Sequence, residues 1–275
     1  MKKNLLCLFA VGVLLFTFFS CAKNNSDPSS ALCRVVALSF DSFHLETRQQ
    51  LDQDGNVLRM EDYIRDTLAA FSVFYYTPGK VLEQDTVMDE RNKASDLVTY
   101  IIGANGYASS KHRGGRGYET EDSTLFTYDA NGYMATSQNY HYTLAADSSR
   151  SLAYKETHTF VVVNGVRTEE NVVYEGGNNE QYNYKAVYTY SDTVANHVFL
   201  LPNIVSTVLE FPFMGKLSNA LITRAAYTKP DGTPLYHYDY SYGFDAAGKP
   251  VKAYFVYSGS GSGFRGSLQL EYNCP

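Results

Sequence analysis

The chain has 275 residues, 44% hydrophobic and 19% charged, with 23 Lys and Arg against 29 Asp and Glu. This is globular rather than disordered composition, and a net charge of −6 without a basic stripe lacks the electrostatic footprint of a nucleic-acid binder. Twenty-four Tyr and 16 Phe beside 20 Gly and no Trp favour strands joined by turns, so the expected class is all-β.

Lys2 and Lys3 precede an uncharged, mostly apolar run, Leu5 to Phe19, which ends at Ser20-Cys21. A transmembrane helix needs about 20 apolar residues. A shorter run behind a basic start, closed by a Cys after a small residue, has the parts of a lipoprotein signal, whose thiol receives diacylglycerol before cleavage. The expectation is a signal peptide over residues 1–20, lipid attachment at Cys21, a polar tether over residues 21–31 and a single all-β domain over residues 32–275. Membrane contact would then run through the acyl chains alone, at about 0.8 kcal/mol per buried methylene, placing the protein on the bacterial envelope, at the periplasmic or surface face of the outer membrane.

With Cys7 in the signal and Cys21 lipidated, Cys33 and Cys274 remain as a disulfide candidate in an exported chain. One opens the first strand-like run, Arg34 to Phe40, and the other closes the last, Gly266 to Tyr272. If the first and last strands are antiparallel neighbours, the two Cys come within the roughly 5–6 Å Cα separation that a bridge requires. A metal site needs more ligands than two Cys at opposite ends supply.

A turn cue of Gly after Asp, Asn or Pro recurs at Asp52-Gln53-Asp54-Gly55, Pro78-Gly79, Asn105-Gly106, Asp129-Ala130-Asn131-Gly132, Asn164-Gly165, Asp231-Gly232 and Asp245-Ala246-Ala247-Gly248. The flanking runs are rich in Tyr, Val, Phe and Thr, so each cue reads as a hairpin, with positive φ at the turn. The repeat implies roughly 14–18 strands, too many for a flat open sheet, hence a single large antiparallel barrel or strongly curled sheet. Tyr63 to Phe71 has helical spacing at Ile64, Leu68 and Phe71 but falls where the repeat calls for a strand. Phe71 to Tyr76 and Tyr254 to Tyr257 are apolar on both faces and are expected in a covered part of the sheet. Alternation places one Tyr row on Tyr236, Tyr238, Tyr240 and Tyr242, another on Tyr182, Tyr184, Tyr188 and Tyr190, and a short one on Tyr140 and Tyr142. One face of those strands should be aromatic and the other wet. Gly114 to Gly117 and Ser258 to Gly263 read as flexible hairpin tips.

Phe126-Thr127-Tyr128-Asp129-Ala130-Asn131-Gly132-Tyr133 resembles the unit of YD-type hairpin repeats. Together with Met214 to Ile222 and Tyr240 to Val251, the chain is similar to a family of gut-anaerobe lipoproteins, a domain of unknown function with a porin-like β fold. The resemblance covers about residues 33–272 and implies a fold and an envelope location, but no activity.

The chemical motifs are sparse. Gly261-Ser262-Gly263-Phe264-Arg265-Gly266 spells the dinucleotide string, but no βαβ unit follows it. Asp52-Gln53-Asp54-Gly55 has its Gly fourth where a calcium loop needs it sixth, and reads as a turn. His44, His112, His141, His158, His197 and His237 form no ligand spacing, and His141 and His237, each between two Tyr, read as exposed strand positions. No nucleophile elbow is present. The expectation is a non-catalytic protein without cofactor or metal, of structural or interaction role. The alternative is a glycan- or small-ligand-binding lipoprotein, motivated by the Tyr rows and a loop from Lys111 to Gly117. A hydrolase is the distant third, since a carboxylate pair shows only in three dimensions.

Overall fold

A computed structural model describes residues 34–40, 44–88, 95–115, 120–145, 147, 149–195, 211–259 and 262–273. The strands are β1 (Arg34–Phe40), β2 (Leu45–Leu51), β3 (Val57–Ile64), β4 (Thr67–Thr77), β5 (Lys80–Val87), β6 (Ser95–Ile102), β7 (Ala108–Gly115) and β8 (Thr120–Tyr128). They continue with β9 (Met134–Leu144), β10 (Arg150–Val163), β11 (Val166–Glu175), β12 (Tyr184–Ala195), β13 (Ala220–Thr228), β14 (Pro234–Phe244), β15 (Pro250–Gly259) and β16 (Ser262–Asn273). Each pairs antiparallel with its neighbours in sequence, and β1 pairs with both β2 and β16, closing a sixteen-stranded barrel without a free edge.

The turns explain the meander. Asp52 Oδ1 accepts hydrogen bonds from the Asp54 and Asn56 amides, at 2.9 and 2.8 Å, and Asp129 and Asp245 each do the same for residues two and four further on. The Gly of each unit takes positive φ, 78° at Gly55, 89° at Gly132 and 79° at Gly248, where a side chain would be strained. At Asn164-Gly165 both central residues have positive φ, 52° and 81°, as a two-residue hairpin requires.

Because strands alternate in direction, these turns collect at one end. The Asp52, Pro78, Asn105, Asp129, Asn164 and Asp245 turns share it with the first residue of β1 and the last of β16, while the Asp231-Gly232 turn lies at the opposite, far end. Residues 211–219, which lead into β13, follow the inner rim of the turn-rich end as a strap. Asn219 N donates to Gly165 O at 3.0 Å, Ser218 Oγ accepts from Arg167 N at 3.0 Å, and Lys216 N donates to Gly132 O at 2.8 Å. Phe213 then packs on Tyr100 and Phe211 on Phe74, with ring centroids 5.0 and 4.9 Å apart. Gly215 passes the Tyr128 ring so closely that a Cβ would lie 2.7 Å from its Cε1, which explains why the strap turns at a glycine with φ 97°. The family-like run beginning at Met214 is this strap.

The core lies inside the barrel in two clusters. Val57, Phe74, Val81, Val98 and Tyr100 pack with Phe211 and Phe213 of the strap on one side. Tyr188, Leu221, Tyr227, Tyr240, Phe255 and Leu268 pack on the other.

One open reading is settled and three local expectations change. Tyr63 to Phe71 is not helical: β3 turns into β4 at Arg65 and Asp66, which take φ 49° and 62°. The runs Phe71 to Tyr76 and Tyr254 to Tyr257 are covered on one face only, with Tyr75 51% and Tyr254 45% exposed, because a closed barrel covers only its inside. Tyr182 lies in a 3-10 turn, Glu180–Tyr182, ahead of β12 rather than in its Tyr row, and Tyr140 and Tyr142 lie on the face opposite the inward His141. Lys111 to Gly115 belongs to β7 rather than to a loop.

Candidate functional site

The lumen is where the chain gathers its chemistry. Period-two alternation aims one side chain in two inward, and inward neighbours on adjacent strands meet across the register. On β5 this brings Glu83 and Asp85 to one face, opposite Phe74 and Ser72 of β4 and Val98 and Asp96 of β6. Ser72 Oγ donates to Asp85 Oδ1 at 2.6 Å, Tyr100 Oη donates to Glu83 Oε2 at 2.7 Å, and Arg113 Nη2 and Nε reach Asp96 Oδ2 at 2.5 and 2.9 Å. Lys111 Nζ lies 5.6 Å from the Tyr100 ring centroid. These groups wall a cavity of about 330 Å³ that also meets Met60, Asp62 and Phe211.

Burial, reinforced by the neighbouring Asp85 carboxylate, pushes the Glu83 carboxyl up to about 7 against the opposing Tyr100 hydrogen bond. A neutral carboxyl beside a carboxylate is the arrangement expected where two acids share a poorly hydrated wall.

Further round, His141 faces inward, stacks on Tyr154 with ring centroids 4.1 Å apart and places Nδ1 2.8 Å from Asp122 Oδ1. It is thus not the exposed strand histidine that its Tyr neighbours suggest. Those neighbours occupy the opposite face. His237 does lie on the outer face, with Nε2 3.3 Å from Asp239 Oδ2.

His158 sits between two carboxylates. Its Nδ1 is 2.7 Å from Glu170 Oε1 and its Nε2 3.0 Å from Glu156 Oε1, so both ring nitrogens donate and the ring is held as imidazolium. Burial works against that charge, but the hydrogen bonds to Glu156 and Glu170 prevail and raise the ring to about 9. Glu156, although buried, is held down at about 2 by bonds from His158, Tyr174 and Asn139. Glu170 is also lowered against its burial, by His158 and by the Tyr188 hydroxyl, which donates to it.

The remaining wall is aromatic. Tyr184, Tyr227, Tyr236, Tyr257 and Phe264 form a chain of ring contacts with centroid separations of 5.6, 4.5, 5.6 and 5.0 Å. Tyr227 is buried, whereas Tyr236, Tyr238 and Tyr257 remain partly exposed near the far end. Among the described residues, no segment lines the inner rim at that end as the strap does at the other.

The three residues singled out for covalent chemistry, Cys21, Cys33 and Cys274, lie outside the described residues. The residues next to the last two, Arg34 and Asn273, face one another in the β1–β16 ladder. Glu83, Asp85, Asp96, Glu156, His158 and Glu170 escaped the sequence reading. Alternation does mark Glu83 with Asp85 and Glu156 with His158 as same-face pairs, but nothing local says that the face is inside.

No protein-family model matches the sequence, and no curated protein does. Solved structures do match. A porin-like protein from Bacteroides uniformis superposes with a TM-score of 0.60 at 13% identity, over 87% of this chain and 96% of that one. A porin-like protein from Bacteroides vulgatus gives 0.59 at 18% identity, over 88% and 99%. This chain has the porin-like barrel fold. At those identities the likeness extends to architecture and stops there.

Proposed function

We propose that the chain is a lipid-anchored barrel of the bacterial envelope, without catalytic chemistry, that takes a glycan or other small ligand at the far mouth of its lumen. The observation that carries this reading is the inward Tyr wall, where Tyr236, Tyr238 and Tyr257 stay partly exposed. A flat ring with a polar hydroxyl suits the face of a sugar or a comparable planar ligand. The lumenal charges beside it are matched to one another, His158 to Glu156 and Glu170 and Arg113 to Asp96, so they orient rather than react.

The outer wall supports a barrel beside the bilayer rather than across it. Arg48–Glu46, Arg59–Glu61, Lys155–Glu175 and Lys185–Glu169 form ion pairs of 2.7 Å on it. A basic side chain on a lipid-facing barrel wall costs about 2–4 kcal/mol at the midplane. The Ser20-Cys21 junction supports anchoring through Cys21, and labelling with an acyl-chain precursor tests it: incorporation should be lost in Cys21→Ser.

Saturation-transfer NMR of the full chain with a panel of oligosaccharides tests the ligand reading. Contacts that Tyr236→Ala removes would support it; absence of contacts across the panel, or contacts indifferent to that substitution, would count against it. A structural or interaction role is the second reading, favoured by Tyr100, Tyr188, Tyr227 and Tyr240, which at 3–6% exposure serve as core.

A further inference from the structure

Not every charge in the lumen is balanced. Four carboxyl groups, Asp62, Glu83, Asp85 and Asp96, border the cavity of about 330 Å³ walled by β3 to β7. Among the described residues, Asp96 alone of the four is in an ion pair, with Arg113. Each of the others accepts from a neutral hydroxyl: Asp62 from Thr47 at 2.6 Å, Asp85 from Ser72 at 2.6 Å and Glu83 from Tyr100 at 2.7 Å. A hydroxyl fills one acceptor position of a carboxylate and leaves its charge unmatched. Lys111 lies over the Tyr100 ring and forms no ion pair among the described residues.

Further round the wall the fold treats a pair of acids differently. His158 stands between Glu156 and Glu170, supplying the cation and filling the space between them. Glu83 and Asp85, two residues apart on the inner face of β5, border the cavity instead, and the buried Glu83 keeps its proton up to about 7. A proton there does the neutralising that the imidazolium does at Glu156.

The cavity has a polar rim and an apolar floor. Asp62, Asp85 and Asp96 lie within two residues of the far ends of β3, β5 and β6, whereas Phe211 meets the cavity from the strap side and Met60 lines it beside the acids. Its volume is at the small end of the roughly 300–1,000 Å³ usual for ligand sites. Among the described residues, no three acid or imidazole groups converge as a metal ion would need. Two adjoining carboxyl groups above an apolar floor suit instead an ammonium carried on a carbon frame. The strand β14 that bears Tyr236 is about half a circuit away from β5, so this cavity is separate from the Tyr wall.

We infer that the cavity is a second binding site of the lumen, for a small organic ligand with a primary ammonium held by Glu83 and Asp85 and a carbon frame on Met60 and Phe211. It goes beyond the glycan reading, since it uses none of the Tyr wall. Alkylamines and amino sugars share the required group. An arriving ammonium takes the place of the Glu83 proton, which passes to solvent.

Isothermal titration calorimetry of the full chain with 1,4-diaminobutane and with glucosamine, against butane-1,4-diol and glucose as neutral counterparts, tests the site. An alkylammonium, like that of Lys, stays charged through pH 8. 1,4-Diaminobutane should therefore bind about tenfold more tightly at pH 8 than at pH 6, as Glu83 passes from about one-tenth to about nine-tenths ionised among Asp62, Asp85, Asp96, Tyr100, Lys111 and Arg113. Glu83→Gln and Asp85→Asn should each weaken it about tenfold at pH 8, and Glu83→Gln should also abolish the pH dependence. Binding of 1,4-diaminobutane alone assigns an alkylamine to the site; binding of glucosamine, alone or as well, assigns an amino sugar. Equal binding of the neutral counterparts, binding of neither amine, or binding indifferent to both substitutions overturns the site. Amine binding lost in Tyr236→Ala but kept in Glu83→Gln overturns it too, and leaves the ligand reading of the Tyr wall standing.

Discussion

His158 Nδ1 stands 2.7 Å from Glu170 Oε1, a contact between β10 and β11 that ties a histidine to an acid twelve residues away. With Glu156 on the other ring nitrogen, the imidazolium bridges two lumenal carboxylates, and the Arg167 guanidinium adds a second positive charge near Glu170.

Replacing it with Gln should therefore leave two buried carboxylates without their cation, at a cost of about 3–5 kcal/mol. The ring titrates near 9 in the fold against 6.5 in the unfolded chain. A raised value stabilises fully below the unfolded one and is lost as pH rises through about 9. Glu156, held near 2 against 4.5, works in the other direction: its contribution is complete above 4.5 and lost as pH falls toward 2. Denaturant unfolding from pH 5 to 10 should show the wild-type to His158→Gln gap widest below about 6.5 and closing at the alkaline end; a gap independent of pH would contradict the geometry.

Glu83→Gln should act oppositely near neutrality. The Glu83 carboxyl titrates near 7 in the fold and at 4.5 unfolded, so the fold is favoured below 4.5 and loses that advantage as pH rises through 7. A neutral amide still accepts from Tyr100 and carries no charge to desolvate. The variant should match wild type near pH 4.5 and exceed it by about 3 kcal/mol at pH 8, read as a higher melting temperature. Wild type remaining the more stable at pH 8 would show that the carboxylate is compensated.

Gly215→Ala tests the strap. It places a side chain at φ 97° and against Tyr128, whereas Gly232→Ala, at φ 86°, meets nothing within 4 Å. The second should lose only the conformational term of about 1–2 kcal/mol, the first about 3 kcal/mol or more. Equal losses in thermal melts would mean that the strap gives way without resistance.

The β1–β16 pairing predicts a Cys33–Cys274 disulfide, since Arg34 and Asn273 are its neighbours in sequence and face each other. Oxidised protein should migrate faster than reduced protein on a denaturing gel, and Cys274→Ser should abolish the difference. On the chain-entropy account, closing so long a loop restrains the unfolded state by up to about 5 kcal/mol. Identical migration of the two forms would rule the bridge out.

Much of the barrel was legible because its determinants are local. The Asp129 unit, in which one carboxylate caps amides two and four residues on and a glycine takes positive φ, repeats at Asp52 and Asp245 and announces a hairpin each time. The Tyr236 to Tyr242 alternation announces a two-faced strand in the same way. Far less of the candidate site was legible. Glu83 reads as one more charge in a strand, and His158 as a lone histidine, until register places Tyr100 and Glu170 against them.

Strand content and hairpin order follow from residues within a few positions of one another, since turn capping and side-chain alternation act over two to four residues. Which face of each strand looks inward, which charges meet there, and the path of residues 211–219 along the rim were decided only by closure. Joining β1 to β16 gives the wall an inside, and there an acid without a partner is costly while one beside an imidazolium or a phenol is not.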